Sequence, residues 1–328
     1  PFTVNGDTAW SITVQPTDEE IVTYLDDRQS KLVNLILVNA IEKLYCDNSP
    51  PPRNRNGDLP FTSMLAGGYY DFSTPNEDYW ERVDWIVDEA AARGMVVLMT
   101  PAYIGADFGI DGWAVDMIAN GVEVCADYGA WLGERYASRQ NIIWVAGGDN
   151  PPTEGAASVV DETNALMSAL KAEGGHLMTA HSGRGRSSAD DYDEDWLDIN
   201  WVYTSASGIP SAVRIARTFQ SAWPCCMFEA YYANEYGITV QTAMREMWLS
   251  LLCGGFGHIY GNAPQWYFGD PSSHAGDQFA DQGGLDWREN LDELGASYLT
   301  YVGQLIAVRD LSALTPDYSH TRVTSGYG

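Results

Sequence analysis

Positive charge is scarce in this sequence: Lys plus Arg number 18 against 45 Asp plus Glu in 328 residues, a formal net charge of −27. Such a surface repels polyanions, which excludes nucleic acid as a partner. It stays soluble wherever salt screens its self-repulsion, so the acidity reads as an adaptation to a saline environment rather than as mechanism. Cysteine is sparse and odd in number (Cys46, Cys125, Cys225, Cys226 and Cys253), with none of the paired spacings of zinc sites or redox motifs. Cys225 and Cys226 lie in an apolar run, where a free thiol acts as a small hydrophobe. Histidine is limited to His176, His181, His258, His274 and His320, with no His-x-His pair to support a metal-dependent barrel hydrolase. No apolar run reaches the length of a membrane span, and no glycine-rich phosphate loop follows a strand-like segment. Neither membrane insertion nor a cofactor is expected. The chain starts at Pro1 without Met or a charged leader, which predicts a mature chain whose export signal has been removed. Secretion or periplasmic location follows from the expected substrate.

What is present is a 45% hydrophobic chain, long enough to bury one large core. Short apolar runs rich in β-branched residues alternate with longer amphipathic stretches. The runs predict strands at 4–5, 32–38, 95–100, 141–146, 176–180, 200–204, 225–228 and 257–260. Helices are predicted at 18–30 behind Thr17, 77–93 ending at Gly94, 122–138, 156–173 ending at Gly174, 211–220, 239–252 and 287–309. Eight strand–helix units in regular order predict an α/β fold of the (β/α)8 TIM-barrel type. The Gly/Pro/Asn/Asp-rich stretches 47–60, 105–112, 182–195 and 262–284 all follow strands, so one end of the barrel carries the elaborated loops.

Two strand ends carry carboxylates. Asn-Ile-Ile-Trp-Val-Ala-Gly-Gly-Asp, residues 141–149, runs an apolar strand into two glycines and presents Asp149 at the mouth of the fourth strand, as a site residue or as a turn cap. Cys-Cys-Met-Phe-Glu-Ala-Tyr-Tyr, residues 225–232, ends the seventh strand in Glu229, a carboxylate that is costly in an apolar run unless paired or functional. Glycoside hydrolysis needs two such groups facing one sugar, one to protonate the leaving oxygen and one to attack or to activate water. Twelve Trp and 19 Tyr supply faces that stack on sugar rings. Asp7, Trp10, Asn39, Tyr103, His181, Tyr203, Tyr231, His258, Tyr260, Asn262 and Trp266 lie at predicted strand ends and are the candidate substrate contacts.

Gly6-Asp7-Thr8-Ala9-Trp10, Trp131-Leu132-Gly133-Glu134-Arg135-Tyr136 before Asn141-Ile142-Ile143-Trp144, Gly147-Gly148-Asp149, and Gly257-His258-Ile259-Tyr260-Gly261 together resemble the apiosidase-like barrel hydrolases. These are TIM-barrel glycosidases that include glycoside hydrolase family 140. The resemblance covers nearly the whole chain. It implies a glycosidase whose Gly-Gly-Asp aspartate, here Asp149, is the acid/base and whose glutamate after the seventh strand, here Glu229, is the nucleophile. Where the family often has a Gly-Glu-Pro context, this chain has Phe228-Glu229-Ala230, so its local substrate contacts differ. Relatives commonly carry a β-sandwich after the barrel, which implies a catalytic barrel over 1–312 and the start of such a domain at 313–328. Characterised relatives release apiose, a furanose-type sugar, from a branched pectin side chain.

The expectation is a retaining glycosidase acting on a plant or algal polysaccharide or oligosaccharide. Retention predicts carboxyl groups roughly 5 to 5.5 Å apart, inversion roughly 6.5 to 9.5 Å. The alternatives are a metal-dependent barrel hydrolase and a glycan-binding barrel that has lost its chemistry.

Overall fold

A computed structural model describes the chain except for residues 1, 49, 107, 109–110, 154–157, 206, 220–223, 273–285, 323 and 326–328. In chain order the elements are β1 (Val4–Thr8), α1 (Asp18–Ser30), β2 (Leu35–Asn39), α2 (Glu77–Ala92), β3 (Val96–Thr100), α3 (Ala114–Tyr136), β4 (Ile142–Gly147) and α4 (Val160–Gly174). Next come β5 (Leu177–His181), β6 (Arg186–Ser187), α5 (Ser188–Asp191), β7 (Asn200–Tyr203), α6 (Ile209–Phe219), β8 (Cys225–Glu229), α7 (Val240–Leu252), β9 (Gly257–Tyr260) and α8 (Leu294–Val308). The ladder runs β5-β4-β3-β2-β1-β9-β8-β7, with every pair parallel; the two-residue β6 adds antiparallel to β7. This is the expected (β/α)8 barrel, with β6 and α5 inserted in the loop predicted at 182–195.

Strand alternation sorts the side chains into two layers. Val4, Leu35, Leu37, Leu98, Ile143, Val145, Trp201 and Ile259 fill the barrel interior. Ile36, Val38, Val97, Met99, Ile142 and Trp144 face the helices. Cys226 belongs to the inner layer and Cys225 to the layer under α6; among the described residues all five cysteines are unpaired. The α1 start is a capping box: Thr17 Oγ1 accepts from the Glu20 backbone N–H at 3.3 Å, and Glu20 Oε2 from the Thr17 N–H at 2.8 Å.

Boundaries moved where a polar or glycine signal competed with burial. The first strand is longer than predicted because Asn5 and Asp7 are buried against the helices: Asn5 Nδ2 donates to the Leu32 and Leu299 carbonyls, and Asp7 accepts from Tyr24 and Arg28. Residues 32–34, predicted to open the second strand, instead link α1 to β2, with Leu32 at φ 62°. α3 begins before Gly121, where φ reaches 78° and the helix kinks instead of starting. The 156–157 start predicted for the fourth helix lies outside the described residues, and α8 begins at Leu294 rather than at 287.

The barrel seam lies between β5 and β7, where a side chain does the work of a ladder. The buried Ser188 hydroxyl donates to the Ala180 carbonyl at 2.5 Å and accepts from the Trp201 N–H at 2.8 Å and the Ala180 N–H at 3.3 Å. Removing it strands buried backbone groups of both strands. Ser188→Ala is expected to cost about 1–3 kcal/mol, read as a lower urea midpoint; an unchanged midpoint would contradict the seam's dependence on this hydroxyl.

Candidate active site

The strands end in a cavity of about 490 Å³ whose floor holds both predicted carboxylates. Asp149 follows Gly147 and Gly148. Gly147 has φ 81°, and a Cβ there would run into the His181 carbonyl; one on Gly148 would press on Ile104 and Gly105. The glycines therefore make room for neighbouring backbone.

Glu229 reaches the cavity through an irregularity. Cys226 and Phe228 face the interior, so strict alternation would turn Glu229 toward the helices. Trp201 pairs with Cys226 but Tyr203 pairs with Glu229, so β8 carries one extra residue against β7. That bulge re-aims Glu229 into the mouth, where it is 7% exposed.

Between the two carboxylates stands His181, fully buried at the end of β5. Its Nδ1 faces the Gly148 carbonyl at 3.0 Å and the Ser182 carbonyl at 3.2 Å, which calls for a proton on that nitrogen. Its Nε2 meets Glu229 Oε2 and lies 3.3 Å from Asp149 Oδ1, which calls for a second proton. Burial opposes the charge, but Glu229 and Asp149 outweigh it and raise the His181 pKa. One atom from each of Asp149, His181 and Glu229 lies within 4.8 Å of the others, the spacing of a metal triad. A doubly protonated imidazole cannot ligate a metal, so an ion would first have to displace the Nε2 proton.

Each carboxylate has further partners. Glu229 Oε1 accepts from the Tyr232 hydroxyl, which accepts from Trp10 Nε1 at 2.6 Å. Asp149 accepts from the Tyr103 hydroxyl at 3.0 Å, and the Tyr203 hydroxyl is 3.5 Å away. Its partners are thus side chains of the site, and the turn-cap alternative finds no backbone N–H bonded to it among the described residues. Asp149 is pushed up to about 6, first by burial and then by Glu229, with His181 pulling the other way.

Trp10, Asn39, Tyr103, Tyr203, Tyr231 and Trp266 line this cavity, as predicted from their strand-end positions. Asn39 does so with its amide already engaged by Thr100 and Glu42. Four predicted contacts lie elsewhere. Asp7 faces the helix layer and is buried in an ion pair with Arg28 at 2.5 Å. His258 and Tyr260 flank the inward-facing Ile259, so alternation turns both outward. Burial pushes His258 down to about 3, and the Tyr260 hydroxyl donates to Glu293. Asn262 is buried, and its side-chain oxygen accepts from Asn234 at 3.4 Å. His274 lies outside the described residues. Tyr232, Glu235, Tyr45, Asp111 and Arg184 line the cavity without having been singled out. Tyr232 was legible as the residue three after Glu229; Arg184 had only its place in the 182–195 loop to mark it.

A parallel eight-stranded barrel with carboxylates from the ends of β4 and β8 in one aromatic-lined cavity has the architecture of the barrel glycoside hydrolases. The family model for the apiosidase-like catalytic domain matches residues 1–312, and the chain belongs to that family; it is a glycoside hydrolase. Among solved structures, one described as a glycoside hydrolase superposes with a TM-score of 0.77 at 22% identity, over 94% of this chain and 71% of that one. A glycoside hydrolase family 5 protein from Bacteroides vulgatus gives 0.77 at 21% identity, over 94% and 68%. The endo-1,4-beta-D-mannanase of Thermotoga petrophila gives 0.61 at 12%, over 93% and 100%. At these identities the likeness establishes the fold. No curated protein matches the chain. No described helix is long and apolar enough to cross a membrane.

The His181 charge lowers the Asp149 pKa, so its loss lets that pKa climb. In His181→Asn, the ¹³C carboxyl titration of Asp149 is expected to move above the wild-type value of about 6. A titration at or below the wild-type value would show that the imidazole does not act on Asp149 as described.

Proposed function

We propose that the chain is a retaining glycosidase acting on a polysaccharide or oligosaccharide, with Asp149 as acid/base and Glu229 as nucleophile. The observation that carries the reading is the separation of the pair: an oxygen of each lies within 4.8 Å of the other. That closeness favours the spacing of retaining enzymes, roughly 5 to 5.5 Å between the carboxyl groups, over the roughly 6.5 to 9.5 Å of inverting ones. In the first step Glu229 attacks the anomeric carbon while the Asp149 proton passes to the glycosidic oxygen, which leaves with its electron pair. In the second, Asp149 takes a proton from water, whose oxygen displaces Glu229 from the sugar and restores the carboxylate.

The surroundings suit these roles. Burial raises the Asp149 pKa, which keeps a proton available. The Tyr232 hydroxyl and His181 orient Glu229 from both oxygens. Trp10, Trp266 and Tyr45 offer apolar faces to a ring in the cavity. A furanose-type sugar such as apiose is the glycone suggested by the family, and export suits an enzyme whose polymer lies outside the cell.

The test is sugar release, followed by chromatography, from plant and marine polysaccharides and aryl glycosides, for wild type beside Asp149→Asn and Glu229→Gln. Both variants should fold and lose at least about 10²-fold in kcat/KM; folded variants with wild-type activity would refute the pair. Binding of a glycan by all three proteins without cleavage by any would favour the glycan-binding alternative. Because the acid must be protonated, kcat/KM should fall as the pH rises through about 6. A rate that keeps rising above pH 7 would assign the acid elsewhere.

A further inference from the structure

Trp10, Tyr203, Tyr232 and Trp266 are buried in the walls of the cavity, whereas Tyr236, which lines the same cavity, is 71% exposed. Glu229 on the floor is almost wholly buried, so depth separates Tyr236 from the reacting groups and places it at the mouth. Its backbone is held where a tyrosine is disfavoured: φ is 47° at Tyr236, between Asn234 at 66° and Gly237 at 74°. Asn and Gly tolerate the left-handed region, but a bulky side chain stays there only where its surroundings enforce it. The Asn234 N–H donates to the Ile238 carbonyl at 3.0 Å and the Ile238 N–H to the Glu235 carbonyl at 2.7 Å, closing a turn with Tyr236 at its tip. That turn is anchored to the chain after β9. The Ala233 N–H donates to the Gly261 carbonyl at 2.9 Å, the Ala263 N–H to the Ala233 carbonyl at 3.0 Å, and Trp266 Nε1 to Glu235. Glycine would relieve the strain at the tip, and so exposed a ring adds little burial to the folded state. The arrangement makes sense when something outside the fold covers the ring.

We infer that Tyr236 is a stacking platform for a second sugar unit, the neighbour in the chain of the one whose glycosidic bond is cleaved. The cleaved unit places its anomeric carbon beside Asp149 and Glu229 on the floor, so a ring at the mouth meets the next unit. An aromatic face packs on the apolar C–H face of a sugar while its own hydroxyl stays in water. The substrate is therefore an oligosaccharide or polysaccharide whose chain continues out of the cavity, rather than one sugar on a small leaving group. This inference rests on the glycosidase reading for its substrate and extends it to the length of chain bound.

The test uses the polysaccharide that wild type cleaves and its oligosaccharides of graded length, with Tyr236→Ala, Tyr236→Phe and Tyr236→Gly. In wild type, kcat/KM should climb with length until the chain reaches the mouth. Tyr236→Ala should lose roughly five- to thirty-fold in kcat/KM on the longest substrates, chiefly through KM, and the loss should shrink as the chain shortens. Tyr236→Phe keeps the aromatic face and should keep the preference for length. Tyr236→Gly should lose that preference as Tyr236→Ala does, yet show the higher urea midpoint of the two, because glycine takes the left-handed backbone without strain. An equal loss at every length, or a loss in Tyr236→Ala that the more stable Tyr236→Gly escapes, would mark a structural role and overturn the inference. A wild type indifferent to length would overturn it as well, and both results leave the glycosidase reading intact. Cleavage of no polymer counts against the glycosidase reading, and the platform is then judged by affinity electrophoresis through gels containing the plant and marine polysaccharides. Retardation of wild type that Tyr236→Ala loses supports it; retardation in no gel, or equal retardation of both proteins, overturns it.

Discussion

The site depends on one interaction, an imidazole held between two carboxylates. Asp149 and Glu229 approach within 4.8 Å in a cavity where burial strengthens their repulsion. His181 makes that approach tenable. The Gly148 and Ser182 carbonyls claim its Nδ1, and Nε2 is turned to both acids at once. The glycine pair before Asp149 is part of the same construction, since Gly147 makes room for the His181 carbonyl beside it. A side chain at that position would displace the strand end that carries the imidazole.

The barrel supplies the convergence, and local departures from regularity supply the aim. Alternation along the strands fills the interior with apolar residues and would leave Glu229 facing helices; the extra residue in β8 turns it inward. Ser188 bridges the seam beside β5, whose last residue is His181. Behind the first strand, the buried Asp7–Arg28 pair fixes α1 against β1. Breaking one member of such a pair leaves a buried charge uncompensated.

Much of this was legible in the sequence, for reasons that also mark its limit. Eight apolar runs spaced by amphipathic stretches gave the barrel, because burial on both faces leaves a strong signal. Asp149 and Glu229 stood out as the polar ends of such runs. Facing was harder to read. Asp7, His258 and Tyr260 sit near the right strand ends but point to the helix layer, and only the register of β1 against β9 tells which residues look inward. Asn5 and Asp7 also hid most of β1, since buried polar residues satisfied by distant helices resemble a turn when read locally. Arg184 reaches the cavity against rings supplied by Tyr203 and Tyr231, which no spacing in the sequence connects to it.

The proposed chemistry assigns covalent work to Glu229 alone, and that assignment can be tested directly. Once the released sugar is known, its 2-deoxy-2-fluoro glycoside with an activated leaving group should stall the enzyme as a glycosyl ester. Intact mass should rise by one fluorosugar, and peptide mapping should find the label on Glu229. A label on any other residue, or a product of inverted anomeric configuration from the natural substrate, would contradict the account.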